Sequence, residues 1–195
     1  DLIVFKNGTL DRKIGTTIET DELADMGFRQ YVFLEKIKEN EPTEFMKLVY
    51  SDTPTDHHKR INAGLKAIFR NRVDSRISII YGASGVGKST PLNILCDLLG
   101  EQYAMNVTLD DFLADRATRA MVAGKRLLNI NDIPEVWKDF ATIKAITGER
   151  SLNMRGFNQA GKVTSNKLKI WASGNYLPEI KPSEKDAMYS RRLSL

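Results

Sequence analysis

The run Gly82-Ala83-Ser84-Gly85-Val86-Gly87-Lys88-Ser89 fills every fixed position of the pattern GxxxxGKS, directly after the apolar segment Arg76-Ile77-Ser78-Ile79-Ile80-Tyr81 and before the helix-spaced Leu92, Leu95 and Leu99. This order restricts the local structure to a strand, a phosphate-cradling loop and a helix. Glycines let the backbone turn with positive φ and aim successive amides at one point, where the new helix also presents unpaired amides and the positive end of its dipole. Residues 82 to 90 are therefore the expected ATP-binding loop. Lys88 is expected to reach the β and γ phosphates, the Ser89 hydroxyl to ligate Mg²⁺, and Thr90 to add a contact. Pro91 is compatible with this, because the amide it lacks would have no intrahelical partner in the first turn.

Strand-like and helical runs alternate after this loop: Pro91 to Leu99, Tyr103 to Leu109, Asp111 to Ala123, Arg126 to Asn131, Pro134 to Ile146 and Lys167 to Ser173. Such alternation predicts an α/β core, a mostly parallel sheet with flanking helices. A chain of 195 residues has room for one such core and a small appendage. The core is expected over 75–195, beginning at a boundary near Arg72 to Arg76. Upstream, the Asn7-Gly8 pair between apolar runs predicts a β-hairpin lead-in over 1–20. Helix-face spacings of Leu34, Ile37, Phe45, Leu48 and Val49, interrupted by Pro42 and Pro54, predict a small helical subdomain over 21–74. Arg191-Arg192-Leu193-Ser194-Leu195 reads like the middle of an element, so the chain is expected to be a piece of something longer, incomplete at its C-terminal end.

A formal charge of +4 favours polyanionic partners without identifying one. Cys96 is the single cysteine, which excludes internal disulfides and thiolate clusters as a scaffold and suits a reducing cytoplasm. No apolar run approaches the ~18 residues that a membrane span needs, so no membrane association is expected. His57 and His58 are adjacent and outside any ligand spacing, as in a surface loop.

Further polar residues stand at the ends of apolar runs. Arg126-Leu127-Leu128-Asn129-Ile130-Asn131-Asp132 delivers Asp132, a candidate for holding Mg²⁺ and polarising water, alone or with help from Glu135. Capping of a helix starting at Pro134 is the plainer reading of that aspartate. Lys169-Ile170-Trp171-Ala172-Ser173-Gly174-Asn175 delivers Asn175, able to orient the attacking water or touch the γ phosphate, although Gly-Asn also makes an ordinary turn. Ser183-Glu184-Lys185-Asp186 has capping-box spacing, and the helix it opens ends at Arg191 and Arg192. Those arginines either cap the helix C-terminus or act as a finger on a neighbouring subunit's ATP.

In order, the segments GASGVGKST, GKRLLNIND, IKAITGERSLNMRGF, KIWASGNYLP and SRRL resemble the superfamily 3 helicases, in the viral and plasmid primase-helicase branch whose motor is a AAA+ core. The resemblance covers about residues 75 to 195, and Lys144-Ala145-Ile146-Thr147-Gly148-Glu149 is its most distinctive part. Phe5-Lys6-Asn7-Gly8-Thr9-Leu10 resembles that family's lead-in to a helical collar. The resemblance implies a hydrolytic centre of Lys88, Ser89 and Asp132, with Asn175 as the sensor and Arg191 or Arg192 as the finger. It also implies a hexameric ring around single-stranded DNA, fused to or associated with a primase or polymerase, in a bacterial or archaeal cell hosting a phage or plasmid. A hairpin within Arg150 to Lys167 would line the channel, with Arg155 and Lys162 neutralising phosphates and Phe157 stacking on a base. Asn131 stands where relatives usually carry an acid, and their Lys-His pair has no counterpart here.

Three other classes share the loop. A AAA+ remodelling or packaging ATPase would keep the same core residues. A small-molecule kinase would need an arginine-rich lid, which is not evident. A nucleotide-binding switch without hydrolysis is suggested by Asn131.

Overall fold

The computed structural model describes residues 2–6, 8–11, 13–14, 16–18, 26–28, 64, 67–70, 74–137, 140–154, 162–191 and 193–194. The chain divides into two units, Asp1–Pro54 and Thr55–Leu195. The predicted helical subdomain over 21–74 lies almost wholly outside the described residues.

In the first unit, β1 (Leu2–Phe5) and β2 (Gly8–Asp11) pair antiparallel, with Phe5 opposite Gly8; Asn7 lies outside the described residues. β3 (Thr16–Ile18) continues the antiparallel pairing, and β4 (Met26–Phe28) adds in parallel to β1, giving the order β3-β2-β1-β4. The lead-in is thus part of a four-stranded sheet.

The second unit is built on β5 (Ile77–Tyr81), β6 (Ala104–Thr108), β7 (Leu127–Asn131), β10 (Lys169–Gly174) and β11 (Leu193–Ser194), with the separate pair β8 (Ser151–Met154) and β9 (Lys162–Ser165) lying between β7 and β10 in the chain. The order across the large sheet is β11-β5-β10-β7-β6, and every pairing is parallel. Five described helices accompany it: α1 (Thr90–Leu99), α2 (Leu109–Ala114), α3 (Arg116–Ala120), α4 (Ala141–Gly148) and α5 (Pro182–Arg191).

Strand alternation sorts the sheet's two faces. Ile77, Ile79, Leu128, Ile130, Ile170 and Ala172 share one buried cluster with Phe112 of α2, Ile143 and Ile146 of α4, and Met188 of α5. The intervening residues Asn129, Asn131, Trp171 and Ser173 point to the other face, where α1 lies and buries Leu92, Cys96 and Leu99. On that face Gly64 lies flat on the indole: a Cβ there would meet Trp171 Cζ2 at 2.6 Å.

Two helices differ from expectation. The run Asp111 to Ala123 is not one helix but two, because Asp115 takes an extended conformation (φ −102°, ψ 121°) and caps α3 through Ala117 and Thr118 N–H. Helix also does not start at Pro134. Val136 bridges in parallel to Glu179, and Trp137 stacks on Phe140 at 4.6 Å, so tertiary pairing claims this stretch and α4 begins only at Ala141. Asp132 is therefore not a helix cap.

Candidate functional site

Above the C-terminal ends of the parallel strands a cleft of about 300 Å³ opens, lined by Ser84, Gly85, Gly87, Lys88, Ser89, Thr90, Asp132, Ser173 and Asn175. Four predicted residues from three separated segments, Lys88, Ser89, Asp132 and Asn175, share this cleft.

The loop follows from its glycines. Gly85 and Gly87 adopt φ +80° and +83°, and a Cβ built on either meets nothing within 4 Å, so backbone conformation rather than space requires glycine there. The loop is tied to the sheet at its start, where Gly82 N–H donates to Gly174 O at 3.3 Å, and to α1 at its end, where Thr90 N–H donates to Gly87 O at 3.2 Å. Ser89 occupies the N-cap position of α1 without making a side-chain capping bond, which leaves its hydroxyl available to a ligand. Gly82, Ala83 and Val86 act through the backbone: the Ala83 carbonyl accepts from Lys88 Nζ at 2.6 Å, while the Val86 side chain is exposed.

Lys88 Nζ also donates to Asn175 Oδ1 at 3.2 Å, joining the glycine-rich loop to the end of β10 across 87 positions of sequence. Parallel pairing of β10 with β5 puts Gly174 opposite Tyr81, one residue before the loop, which is why the two ends meet. On the other side of β10, Asp132 follows β7 with φ +51°, a left-handed conformation that aspartate tolerates better than most residues. The next residue locks it: Ile133 N–H donates to Ser173 O at 2.9 Å.

Two members of the site were not foreseen. Ser173 lines the cleft, and Gly174 permits the crossing of the β7 exit over β10, since a Cβ at 174 would meet Ile133 Cγ1 at 2.5 Å and its carbonyl oxygen at 3.2 Å. The small residues Ala172-Ser173-Gly174 at a strand end were the available signal. Behind the cleft an amide cluster spans α1, β6 and β7: the buried Asn129 Nδ2 donates to Asn106 Oδ1 at 2.7 Å, to Asn131 Oδ1 at 3.3 Å and to Asn93 Oδ1 at 3.4 Å. Asn131 is thus held from below, beside Asp132.

The remaining candidates fall partly or wholly elsewhere. Glu135 is exposed and is not among the cleft residues; its carbonyl accepts from Glu179 N–H at 2.6 Å. Arg155, Phe157 and Arg192 lie outside the described residues, and the side chains of Lys162, in β9, and Arg191, the last residue of α5, are likewise outside them. β8 and β9 pair antiparallel from Ser151–Ser165 to Met154–Lys162 and so form a hairpin before β10.

The donor set suits a nucleotide with Mg²⁺. The cleft offers loop amides, one ammonium, the hydroxyls of Ser84, Ser89, Thr90 and Ser173, the Asn175 amide and one carboxylate, and Mg²⁺ is commonly held by one or two protein oxygens plus substrate phosphates. Among the described residues no group of three or more His, Cys, Asp or Glu gathers as an all-protein metal cage, and no helix is long and apolar enough to cross a membrane.

A family model described as a family of unknown function, DUF5906, matches residues 80–192. Among solved structures, the chain is similar to the A form of the apo NrS-1 C-terminal region, with TM-score 0.63 and 14% identity, covering 100% of this chain and 57% of that one. A second structure of that region, residues 305–718, aligns with TM-score 0.59 and 16% identity over 81% of this chain and 37% of the other. JCV helicase with a bound thiazolopyridine compound aligns with TM-score 0.50 and 16% identity over 80% of this chain and 46% of the other. This chain therefore spans well under two thirds of the length of each, and at such identities the likeness is one of fold. No curated protein matches the sequence.

Proposed function

This chain belongs to the DUF5906 family, and from that premise and the geometry of the cleft we propose that it is the ATP-hydrolysing motor of a ring-forming DNA helicase of the superfamily 3, AAA+ type. The observation that carries the reading is the meeting of Lys88 with Asn175, at 3.2 Å, in a cleft shared with Ser89 and Asp132. A phosphate loop alone serves many nucleotide enzymes. A polar amide brought from the neighbouring strand to the loop's lysine suits a machine that senses the γ phosphate.

In this reading the loop amides and Lys88 hold the β and γ phosphates, and Asn175 gives up Lys88 to contact the γ phosphate or the attacking water. Mg²⁺ would be held by Ser89 and Asp132 and would supply positive charge against the phosphates. Asp132 orients water, with Asn131 fixed beside it. Arg191 or Arg192 would supply charge to the neighbouring subunit's nucleotide in a hexamer, and the segment from Arg150 to Lys167 would contact single-stranded DNA, the roles proposed for Arg155, Phe157 and Lys162 being those of the sequence resemblance. A role in replicating a phage, plasmid or other mobile element beside a primase or polymerase follows from the same resemblance. A AAA+ remodelling or packaging ATPase is the second reading, since it would use the same cleft.

The test is ATP hydrolysis across a protein concentration series, with and without single-stranded DNA, with Lys88→Ala as the blank. Turnover rising faster than protein concentration and stimulated by DNA is expected. DNA-indifferent turnover would favour the remodelling ATPase, and activity surviving in Lys88→Ala would remove the cleft assignment.

A further inference from the structure

At the base of the β8–β9 hairpin one buried side chain joins three elements. Asn166, 2% exposed, immediately follows β9 and precedes β10. Its amide Nδ2 donates to Ile146 O at 2.7 Å and to Glu149 O at 2.8 Å, two carbonyls at the C-terminal end of α4. Its Oδ1 accepts from Leu168 N–H at 3.1 Å, at the entry to β10, and its own N–H donates to Arg150 O at 2.8 Å, closing the hairpin base. Carbonyls at a helix end lack intrahelical partners and need others. Here one asparagine supplies donors to that end while its oxygen holds the strand that runs nine residues on to Asn175.

We infer that Asn166 is a positioning residue that couples the nucleotide cleft to the hairpin. It rests on the reading of the hairpin as the DNA-contacting element. A shift of β10 when Asn175 changes partner from Lys88 to nucleotide moves Leu168, and Asn166 converts that shift into a movement of the hairpin base against α4. The distinctive run Lys144 to Glu149 gains a structural role from this: its end provides the fixed carbonyls against which the hairpin pivots. No other residue type fits as well, because the position needs two donors and an acceptor on a short, uncharged side chain.

Asp at 166 separates the two functions, since a carboxylate still accepts from Leu168 N–H but cannot donate to Ile146 and Glu149. The experiment measures the affinity of the chain for fluorescein-labelled oligo(dT), with and without Mg²⁺ and ATPγS, for the unmodified chain and Asn166→Asp. Nucleotide is expected to change the DNA affinity of the unmodified chain ~5-fold or more, the lower range of measured site-to-site couplings. Asn166→Asp should bind nucleotide and DNA separately with near-normal affinity while losing that change. A mere loss of stability would not abolish the coupling and leave both separate affinities in place. If the change persists in Asn166→Asp, or is absent from the unmodified chain that binds both ligands, the inference is overturned while the motor reading stands. If the unmodified chain does not bind oligo(dT), the DNA reading itself fails and the inference falls with it. Should Asn166→Asp not fold, hydrogen exchange on the unmodified chain decides: nucleotide must alter protection of the Asn166 and Leu168 amides together with those of β8 and β9, and an unchanged hairpin overturns the inference.

Discussion

Replacing Gly174 by alanine probes the crossing that brings Asp132 and Asn175 into one cleft. The new Cβ would lie 2.5 Å from Ile133 Cγ1 and 3.3 Å from its Cδ1, against a comfortable carbon–carbon separation of about 3.5–4.0 Å, so roughly 1 Å must be found. Ile133 is 5% exposed within the main core cluster, so its side chain has little room to rotate away and the backbone segment must lift instead. Overpacking of this kind costs about 1–3 kcal/mol, and weakening the Ile133 N–H to Ser173 O bond adds about 1 kcal/mol. A chain of this length should then lose roughly 5–15 °C in Tm. A lift of about 1 Å at Asp132 is enough to reduce turnover on the order of 100-fold. Urea unfolding and ATP hydrolysis read the two effects separately. The decisive comparison is with Ile133→Ala, which removes the clashing atoms and costs about 2–5 kcal/mol by itself. The double variant should lose about 1–2 kcal/mol less than the sum of the single losses. Strict additivity, or a Gly174→Ala protein of unchanged stability and turnover, would refute the close-approach reasoning.

Three other predictions follow from particular side chains. Ser89→Ala removes a hydroxyl that makes no capping bond, so stability should change by less than ~0.5 kcal/mol while Mg²⁺-dependent turnover is lost; an early unfolding midpoint would show the hydroxyl to be structural. The Asp115 carboxyl is held below its ordinary 3.8 by the hydrogen bond from the Thr118 hydroxyl, then by the Ala117 and Thr118 amides. A depressed carboxylate contributes stability above its unfolded pKa and loses it as pH falls through the folded one, so the stability of Asp115→Asn should fall less steeply below pH 3.8, and equal slopes would exclude the cap. Burial first, and the Asp97 charge second, push the Cys96 thiol up to about 11, so Cys96 should resist thiol reagents at mildly alkaline pH until urea unfolds the chain. Rapid modification of the folded protein would place the thiol outside the core.

The phosphate loop was legible because its conformational demands are local: glycines at positive φ between an apolar strand and an apolar-striped helix leave few alternatives. Strand existence was equally local, and β5, β7 and β10 begin within two residues of where apolar runs begin. The neighbourhood of the site was not local. Asp132 and Asn175 share a cleft because β10 lies between β5 and β7, an order set by packing and not written in either segment. The stretch 134–140 failed for a related reason, since its apolar spacing suits a helix but Val136 finds Glu179 and Trp137 finds Phe140. Asn166 was hidden because a polar residue between two lysine-bearing strands looks like a turn, and only the ends of α4 and the hairpin, once adjacent, show what its amide satisfies.

The position of β5 also bears on when this cleft can exist. β5 lies between β10 and β11, so both of its neighbours in the sheet come from the last 27 residues of the chain, although the phosphate loop follows it directly. During synthesis the loop emerges long before the strands that hold it, and contacts of such wide sequence separation form late and slowly. If the cleft holds nucleotide as proposed, nascent chains ending before β10 should therefore display a complete GxxxxGKS segment that cannot yet retain it. Competence would arrive in one step, when Gly174 reaches Gly82 and Asn175 reaches Lys88.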